Sequence, residues 1–407
     1  NYNSVAETLA QIYYDRLLEY RRERGIPEDY SDIGRGGTTD YEADLVCNDQ
    51  GVPEAEPLFR ALMVDFWKAL RDLNQLLSDN KEVCSDMSKI SPLITACAEL
   101  SNFVSDFMNS DRDKQGQQHW DFVSWVEISE KNYLLQLAPV DVSALLGEAL
   151  RNLHQQGVTT VFTSATITVD RQFTKFCHDI GLKQDELMLQ IVDSPFDYQN
   201  QACLMVSSDF PKPEDPLRIN KCIAQIRDAI EASPGGVFFL TTSHSSMRQA
   251  YEELTRCFGR KRQVLMQGTD SIPNLMATFK SDGNAILVGT SSFWEGVDVP
   301  GKALSLVVID KLPFKQLNDP VLVARAKRCE MQGGNFFTEE LLPDAIIKLR
   351  QGVGRLIRNE QDTGALIILD PRVLTKRYGQ KVLNSLPPMR RVNHVADVVS
   401  FFRNLRS

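Results

Sequence analysis

The spacing of apolar positions changes near residue 120, and the change divides the sequence into a helical first part and an α/β remainder. Ala6, Leu9, Tyr13 and Leu17 recur at helical spacing over 4–24, with Arg21, Arg22 and Arg24 at the end of that helix. Turn formers and acids then fill 25–57, which predicts a loop. Two further stripes follow, Leu62, Phe66, Ala69, Leu73 and Leu77, then Leu93, Ala96, Leu100, Phe103 and Phe107. They predict an antiparallel helix pair joined by the polar stretch 78–89. Their aromatics suit a core, and a stacking platform for bases is the alternative.

After residue 120 the pattern turns to short runs. Phe122–Ile128 and Tyr133–Leu137 read as strands around a turn, and Pro139 opens a helix to about Gln155. Val158–Phe162 reads as a β-branched strand, Ala202–Val206, Ala285–Val288 and Leu304–Ile309 as strands, and Val237–Leu240 and Ala365–Leu369 as buried strands. Residues 345–358 and 395–405 read as helices, the last with Val398, Phe401, Phe402 and Leu405 on one face. The predicted fold class is α/β, built around a parallel sheet.

Composition changes this picture little. A chain of 407 residues has room for two or three domains. The net charge of −9 argues against a nucleic-acid partner until it is mapped: the excess of acids lies in residues 1–116, and the rest is near neutral. The eight cysteines are scattered with no Cys-x-x-Cys pair, which predicts reduced structural thiols in a cytoplasmic protein. A metal site from Cys47, Cys84 and Cys97 has the wrong spacing, and no metal ligand set is predicted. No apolar run reaches the roughly 18 residues of a membrane span. The sequence opens on Asn1 with no signal-peptide pattern, so we expect a piece of a longer protein.

Candidate chemistry gathers in a few places. Gln351-Gly352-Val353-Gly354-Arg355-Leu356-Ile357-Arg358 sets two arginines three apart, on one face if the segment is helical. Two guanidiniums beside a glutamine and small glycines suit a polyanion such as a nucleoside triphosphate, and a plain surface helix is the alternative. Thr163-Ser164-Ala165-Thr166 and Thr241-Thr242-Ser243-His244-Ser245 each follow a predicted strand, where hydroxyls and free N–H groups suit phosphate or simply cap a helix. His244 has no metal partner in view. Gly289-Thr290-Ser291-Ser292-Phe293-Trp294-Glu295-Gly296-Val297-Asp298 is a further strand-end turn. Gly296–Lys302 has phosphate-loop spacing, but Ala303 replaces the hydroxyl residue and a strand follows, so that match is chance. Arg325, Lys327 and Arg328 fit a solvated helix face or a nucleic-acid path.

In this order, and with Ser194-Pro195-Phe196, Leu312-Pro313-Phe314 and Asp370-Pro371-Arg372 between and after them, the segments resemble the motifs of superfamily 2 helicases. The resemblance is greatest to the iron–sulfur branch that holds XPD, DinG and YoaA. It covers about 120–407; the first 116 residues match by position and helical character alone. It implies a helical arch-like domain over 1–117, the tail of a first RecA-like motor over 118–168 and a second motor over 169–407. Arg358 would be the arginine finger, with Arg355 and Gln351 as cleft partners and Glu295, Gly296, Asp298 and Gly354 at the nucleotide. Ser164, Thr166, Thr242, Ser243, Thr290, Ser291 and Ser292 would touch DNA. The resemblance further implies ATP, Mg²⁺ and an iron–sulfur cluster in the full-length protein, 5′ to 3′ movement on single-stranded DNA, and a role in repair or replication. The sequence lacks a Gly-Lys-Thr phosphate loop, and its one Asp-Glu pair, Asp185-Glu186, follows polar residues rather than a strand. The chain alone is therefore expected to be inactive as an ATPase. Two rival readings remain. One is a docking module for a replication partner, the clamp-loader chi subunit on a YoaA-like reading, and the other is a phosphate-binding α/β enzyme with no DNA role.

Overall fold

Ala202–Val206, Val237–Leu240, Ala285–Val288, Leu304–Ile309 and Ala365–Leu369 each overlap a strand of the computed structural model, which describes residues 56–79, 87–109, 121–128, 133–290, 303–317 and 319–405. The helix expected over 4–24, with its three arginines, and the loop expected over 25–57 (except for Glu56 and Pro57) lie outside the described residues. The chain divides into two compact units, Asn1–Ala144 with Gln316–Phe336, and Leu145–Lys315 with Phe337–Ser407. The helix Pro320–Met331 packs on the hairpin of the first unit.

In the first unit, helices α1 (Glu56–Asp79) and α2 (Met87–Met108) bury Met63, Leu70, Val104 and Phe107. Phe66, Trp67 and Phe103 pack around them, as the core reading of these aromatics requires. The buried stripe is rotated from the predicted one. Leu73, Leu93 and Leu100 are exposed, while Met63 and Leu70 turn inward. Strands β1 (Phe122–Ile128) and β2 (Tyr133–Pro139) pair antiparallel from Phe122↔Pro139 to Ile128↔Tyr133. Val123 and Val140 pack against Ala324 of the helix Pro320–Met331. On that helix Arg325 Nε donates to the Val140 carbonyl at 2.6 Å and Arg328 lies 3.5 Å from Asp141, so both hold the end of the hairpin.

The second unit is a seven-stranded sheet. Strands β3 (Ala202–Val206), β4 (Gly236–Thr241), β5 (Val264–Met266), β6 (Ile286–Thr290), β7 (Leu304–Ile309), β8 (Gly364–Ile368) and β9 (Arg390–Val392) lie in the order β5-β6-β4-β7-β8-β3-β9. All its pairs are parallel. Side chains alternate between two cores at a period of two. Leu204, Phe238, Leu240, Leu287, Val307 and Leu366 face one layer, while Cys203, Phe239, Val288, Val308 and Ile367 face the other. Helices supply the outer surfaces. Met276 and Phe279 of α7 (Ile272–Asp282) and Ile346 and Leu349 of α8 (Leu342–Val353) cover the first layer. Cys222 and Ile223 of α5 (Arg218–Gln225), Leu254 of α6 (His244–Phe258) and Phe402 of α9 (Val395–Asn404) cover the second.

The strand expected at Val158–Phe162 is absent. No described strand pairs with it, and a β-branched run without a ladder partner stays irregular. Val161 is 79% exposed there. The segment follows α3 (Ser143–Gln155), which meets the turn at Gly181 so closely that a Cβ on Gly147 would stand 2.3 Å from the Gly181 carbonyl oxygen. Arg151 fixes the same contact, donating to Glu186 at 2.7 Å and to the Gly181 carbonyl at 3.0 Å.

That ion pair sets a pH dependence. The Arg151 hydrogen bond, helped by the Lys183 backbone N–H, holds the Glu186 carboxyl down at about 2, from an ordinary value of 4.5. The folded value is the lower one, so the stabilisation is complete above the ordinary value and disappears as the pH falls through about 2. We expect Glu186→Gln to melt below the parent chain near neutral pH, with the gap closing in acid. A gap of constant size across a pH series of thermal melts would contradict the assignment.

Candidate nucleotide and nucleic-acid site

Because the seven strands run parallel, their carboxyl ends share one edge, the place where open α/β sheets bind ligands. Three neighbouring strands bring polar side chains to it. Thr241 and Thr290 are Cα partners across β4 and β6. The Thr241 hydroxyl donates to the Gly289 and Ser243 carbonyls at 3.3 and 3.2 Å. Gln267, just past β5, accepts from the Thr290 N–H at 2.8 Å and its hydroxyl at 3.1 Å. The sequence reading missed Gln267, since a lone glutamine after a three-residue strand carries no signal.

The two readings of Thr242 and Ser243 meet here. Ser243 is the N-cap of α6, its hydroxyl accepting from the Ser246 N–H at 3.1 Å. Thr242 is half-buried beside it. Ser164 is exposed and accepts from the Thr166 N–H at 3.1 Å, a local turn that keeps both hydroxyls together. Ser291, Ser292, Glu295, Gly296 and Asp298 lie outside the described residues.

The arginine segment departs from its predicted form. Helix α8 stops at Val353, not at Arg358. Gly354 closes it, and the Arg355 and Leu356 N–H groups bond three residues back, to Gly352 and Val353. Arg355 and Arg358 therefore do not share a helical face. Ile357 is drawn into the core and the chain turns there. Gln351, Arg355 and Arg358 are all half-buried.

A carboxylate shapes that turn. Asp362 accepts from the Arg358 and Asn359 N–H groups at 2.9 and 3.2 Å. Buried Gln201 clamps the loop from β3's side, donating to the Asn359 and Asp362 carbonyls at 2.9 and 3.0 Å. Burial pushes the Arg358 guanidinium below its ordinary value, and the Asp362 charge works against that shift. Gln201 lies 158 residues from Asn359, beyond any sequence signal.

The next two strand ends each finish in an aspartate. Asp310 ends β7 and pairs with Arg218 of α5, both fully buried. Arg218 also reaches the carbonyls of Asp310 and Leu369, the latter at 3.2 Å. Asp370 ends β8, where burial pushes its carboxyl up. The Arg372 side chain and the Leu312 N–H more than offset that, so the value stays below the ordinary one. Arg372 lies 5.6 Å from the Phe314 ring, so Leu312-Pro313-Phe314 and Asp370-Pro371-Arg372 form one corner. Phe196 packs on the core beside Tyr198, which gives the Ser-Pro-Phe segment a structural role.

Among the described residues, one group has metal-ligand spacing, His178, Asp179 and Glu340. Its centre is taken by Lys175, 2.5 Å from Asp179 and 3.1 Å from Glu340, so an ammonium already neutralises the carboxylates. The described cysteines are separate, and burial pushes the Cys203 and Cys222 thiols up to about 12. They do not fit a four-thiolate cluster, and Cys47 and Cys84 lie outside the described residues. No described helix is long and apolar enough to cross a membrane.

The family of helicase C-terminal domains matches residues 226–389, which take in β4 to β8 and the arginine segment. The ATP-dependent DNA helicase YoaA of Escherichia coli is 40% identical over 330 residues, 80% of this chain and 50% of the relative. The chain belongs to the YoaA/DinG helicase family. YoaA of Haemophilus influenzae is 38% identical over 69% of this chain and 43% of its own length. DinG of Photobacterium profundum is 34% identical over 66% and 40%. The chain thus spans about half the length of these YoaA/DinG relatives. Among solved structures, an XPD helicase aligns at 15% identity over 79% of this chain and 55% of its own, with a TM-score of 0.46, too distant to add weight. Family membership agrees with the α/β class, and the parallel sheet is RecA-like.

Proposed function

We propose that this chain supplies the second motor of an ATP-dependent DNA helicase that acts on single-stranded or forked DNA in repair or replication. The observation that carries the reading is the 330-residue match to a relative named as an ATP-dependent DNA helicase. The geometry is consistent with it. Thr242 and Ser243 follow β4 and Thr290 ends the neighbouring β6, a polar edge suited to a phosphate backbone, and two half-buried arginines follow a helix end. On this reading Arg358 is the finger on the γ-phosphate, with Arg355, Gln351 and Gly354 beside it and Glu295, Gly296 and Asp298 completing the nucleotide side. Ser164, Thr166, Thr242, Ser243, Thr290, Ser291 and Ser292 meet DNA, with movement 5′ to 3′. Residues 1–117 would form the arch-like domain, 118–168 the tail of the first motor and 169–407 the second. ATP and Mg²⁺ would be handled jointly with the first motor, and an iron–sulfur cluster would need thiolates other than the described ones.

DNA-stimulated ATP hydrolysis by the longer protein tests the reading. We expect oligo-dT binding by that protein to weaken steeply with salt, log K falling with log [salt] at about −0.7 per phosphate neutralised. Turnover indifferent to DNA, with salt-insensitive binding, would favour a phosphate-binding enzyme with no DNA role. The higher identity to the YoaA relatives than to the DinG relative supports the clamp-loader chi subunit as partner. Failure of chi to co-purify with the longer protein would remove it.

A further inference from the structure

The residue before Gln351 is itself charged and has fixed partners. Arg350, in the last turn of α8, would ordinarily answer that helix's own carbonyls. Instead its guanidinium donates to the Ala165 carbonyl at 2.8 Å and to the Thr168 carbonyl, 185 and 182 residues away. Ala165 lies inside the Thr163–Thr166 run. Burial pushes Arg350 below its ordinary value, so the charge is held here at a cost that the two carbonyls offset.

The start of the same helix is tied to the same stretch. Lys175 of α4 (Thr174–Asp179) reaches Glu340 at 3.1 Å and Asp344 at 3.7 Å, while Lys315 holds Asp344 at 2.7 Å. Segment 165–175 is thus joined to α8 at both ends of the helix. A planar guanidinium bridging two carbonyls transmits displacement, because it has no second geometry that keeps both bonds. If the Ser164–Thr166 turn shifts, the last turn of α8 shifts with it, and Gln351 is the next residue.

We propose that Arg350 is a positioning residue that couples the Thr163–Thr166 turn to the Gln351–Arg358 segment, so that DNA engaged at the turn sets the arginines. The inference rests on the helicase reading. Its test compares the longer protein with its Arg350→Ala and Arg350→Lys variants, reading oligo-dT-stimulated ATP turnover and amide exchange over 163–172. Arg350→Ala should lower the stimulated kcat about tenfold with the KM for ATP within about twofold of the parent. Arg350→Lys keeps a donor for one carbonyl and should recover part of the loss. Residues 163–172 should exchange faster in the alanine variant while the melting temperature holds.

A stimulated kcat unchanged by Arg350→Ala overturns the proposal. So does a loss that tracks a fall in melting temperature, or one that appears wholly in KM. If the parent protein shows no stimulation, the helicase reading is what has failed. The exchange measurement then decides the coupling alone, and equal exchange in parent and alanine variant rejects it.

Discussion

Replacing Arg358 by alanine in the longer protein should remove DNA-stimulated ATP hydrolysis by about 10³-fold, the lower end of what an arginine finger contributes. The structure gives a reason to choose Arg358 over Arg355. Its backbone is fixed by Asp362, and Asp362 and Asn359 are fixed by Gln201, so the guanidinium leaves a loop held from both sides. Arg355 sits instead in the unwinding turn of α8. A charge held in place stabilises a transition state without reorganisation, so the loss should fall on kcat and leave KM nearly unchanged. Arg358→Lys should fail almost as badly, because an ammonium lacks the planar fork. Steady-state turnover with saturating oligo-dT checks both. A full rate from Arg358→Ala would transfer the role to Arg355 or end the assignment.

The largest effect on stability should come from Arg218→Met. Arg218 and Asp310 are 2% and 0% exposed, so removing one leaves the other charged in the interior. Breaking such a pair costs about 3–5 kcal/mol. The pair joins α5 to the ends of two central strands, so the penalty should appear as a lower urea midpoint with an unchanged slope. The double replacement Arg218→Met, Asp310→Leu should recover much of the loss, since no bare charge remains. It should not recover all of it, because the Asp310 and Leu369 carbonyls lose their donor. Equal midpoints for the single and double variants would mean that the carbonyl contacts, not the ion pair, hold this corner.

The parts of this fold legible in the sequence are those fixed by burial on both faces. Leu304–Ile309 and Ala202–Val206 form strands over the predicted residues, and Ala365–Leu369 is displaced by one. Edge strands are another matter. Val264–Met266 is apolar but only three residues long and half-buried, and Arg390 and Arg391 are exposed, so neither run carries a readable pattern. Val158–Phe162 has the β-branched pattern of a strand and no partner among the described strands, and a strand is a property of two segments. The α8 terminus falls short of the expected Arg358 for a related reason. Leu356 and Ile357 continue a helical spacing, yet they are buried by the turn after the helix. Arg350 with Ala165, Gln201 with Asp362 and Arg218 with Asp310 are contacts across long stretches of sequence, and no local pattern announces them.

Asp370 accepts from the Leu312 N–H and from the backbone and side chain of Arg372, whose other face meets Phe314. Two loops that leave different strands are thereby pinned on a single rivet. Neither can swing while the other stays put, and any motion at this corner has to be a rigid rocking of both together.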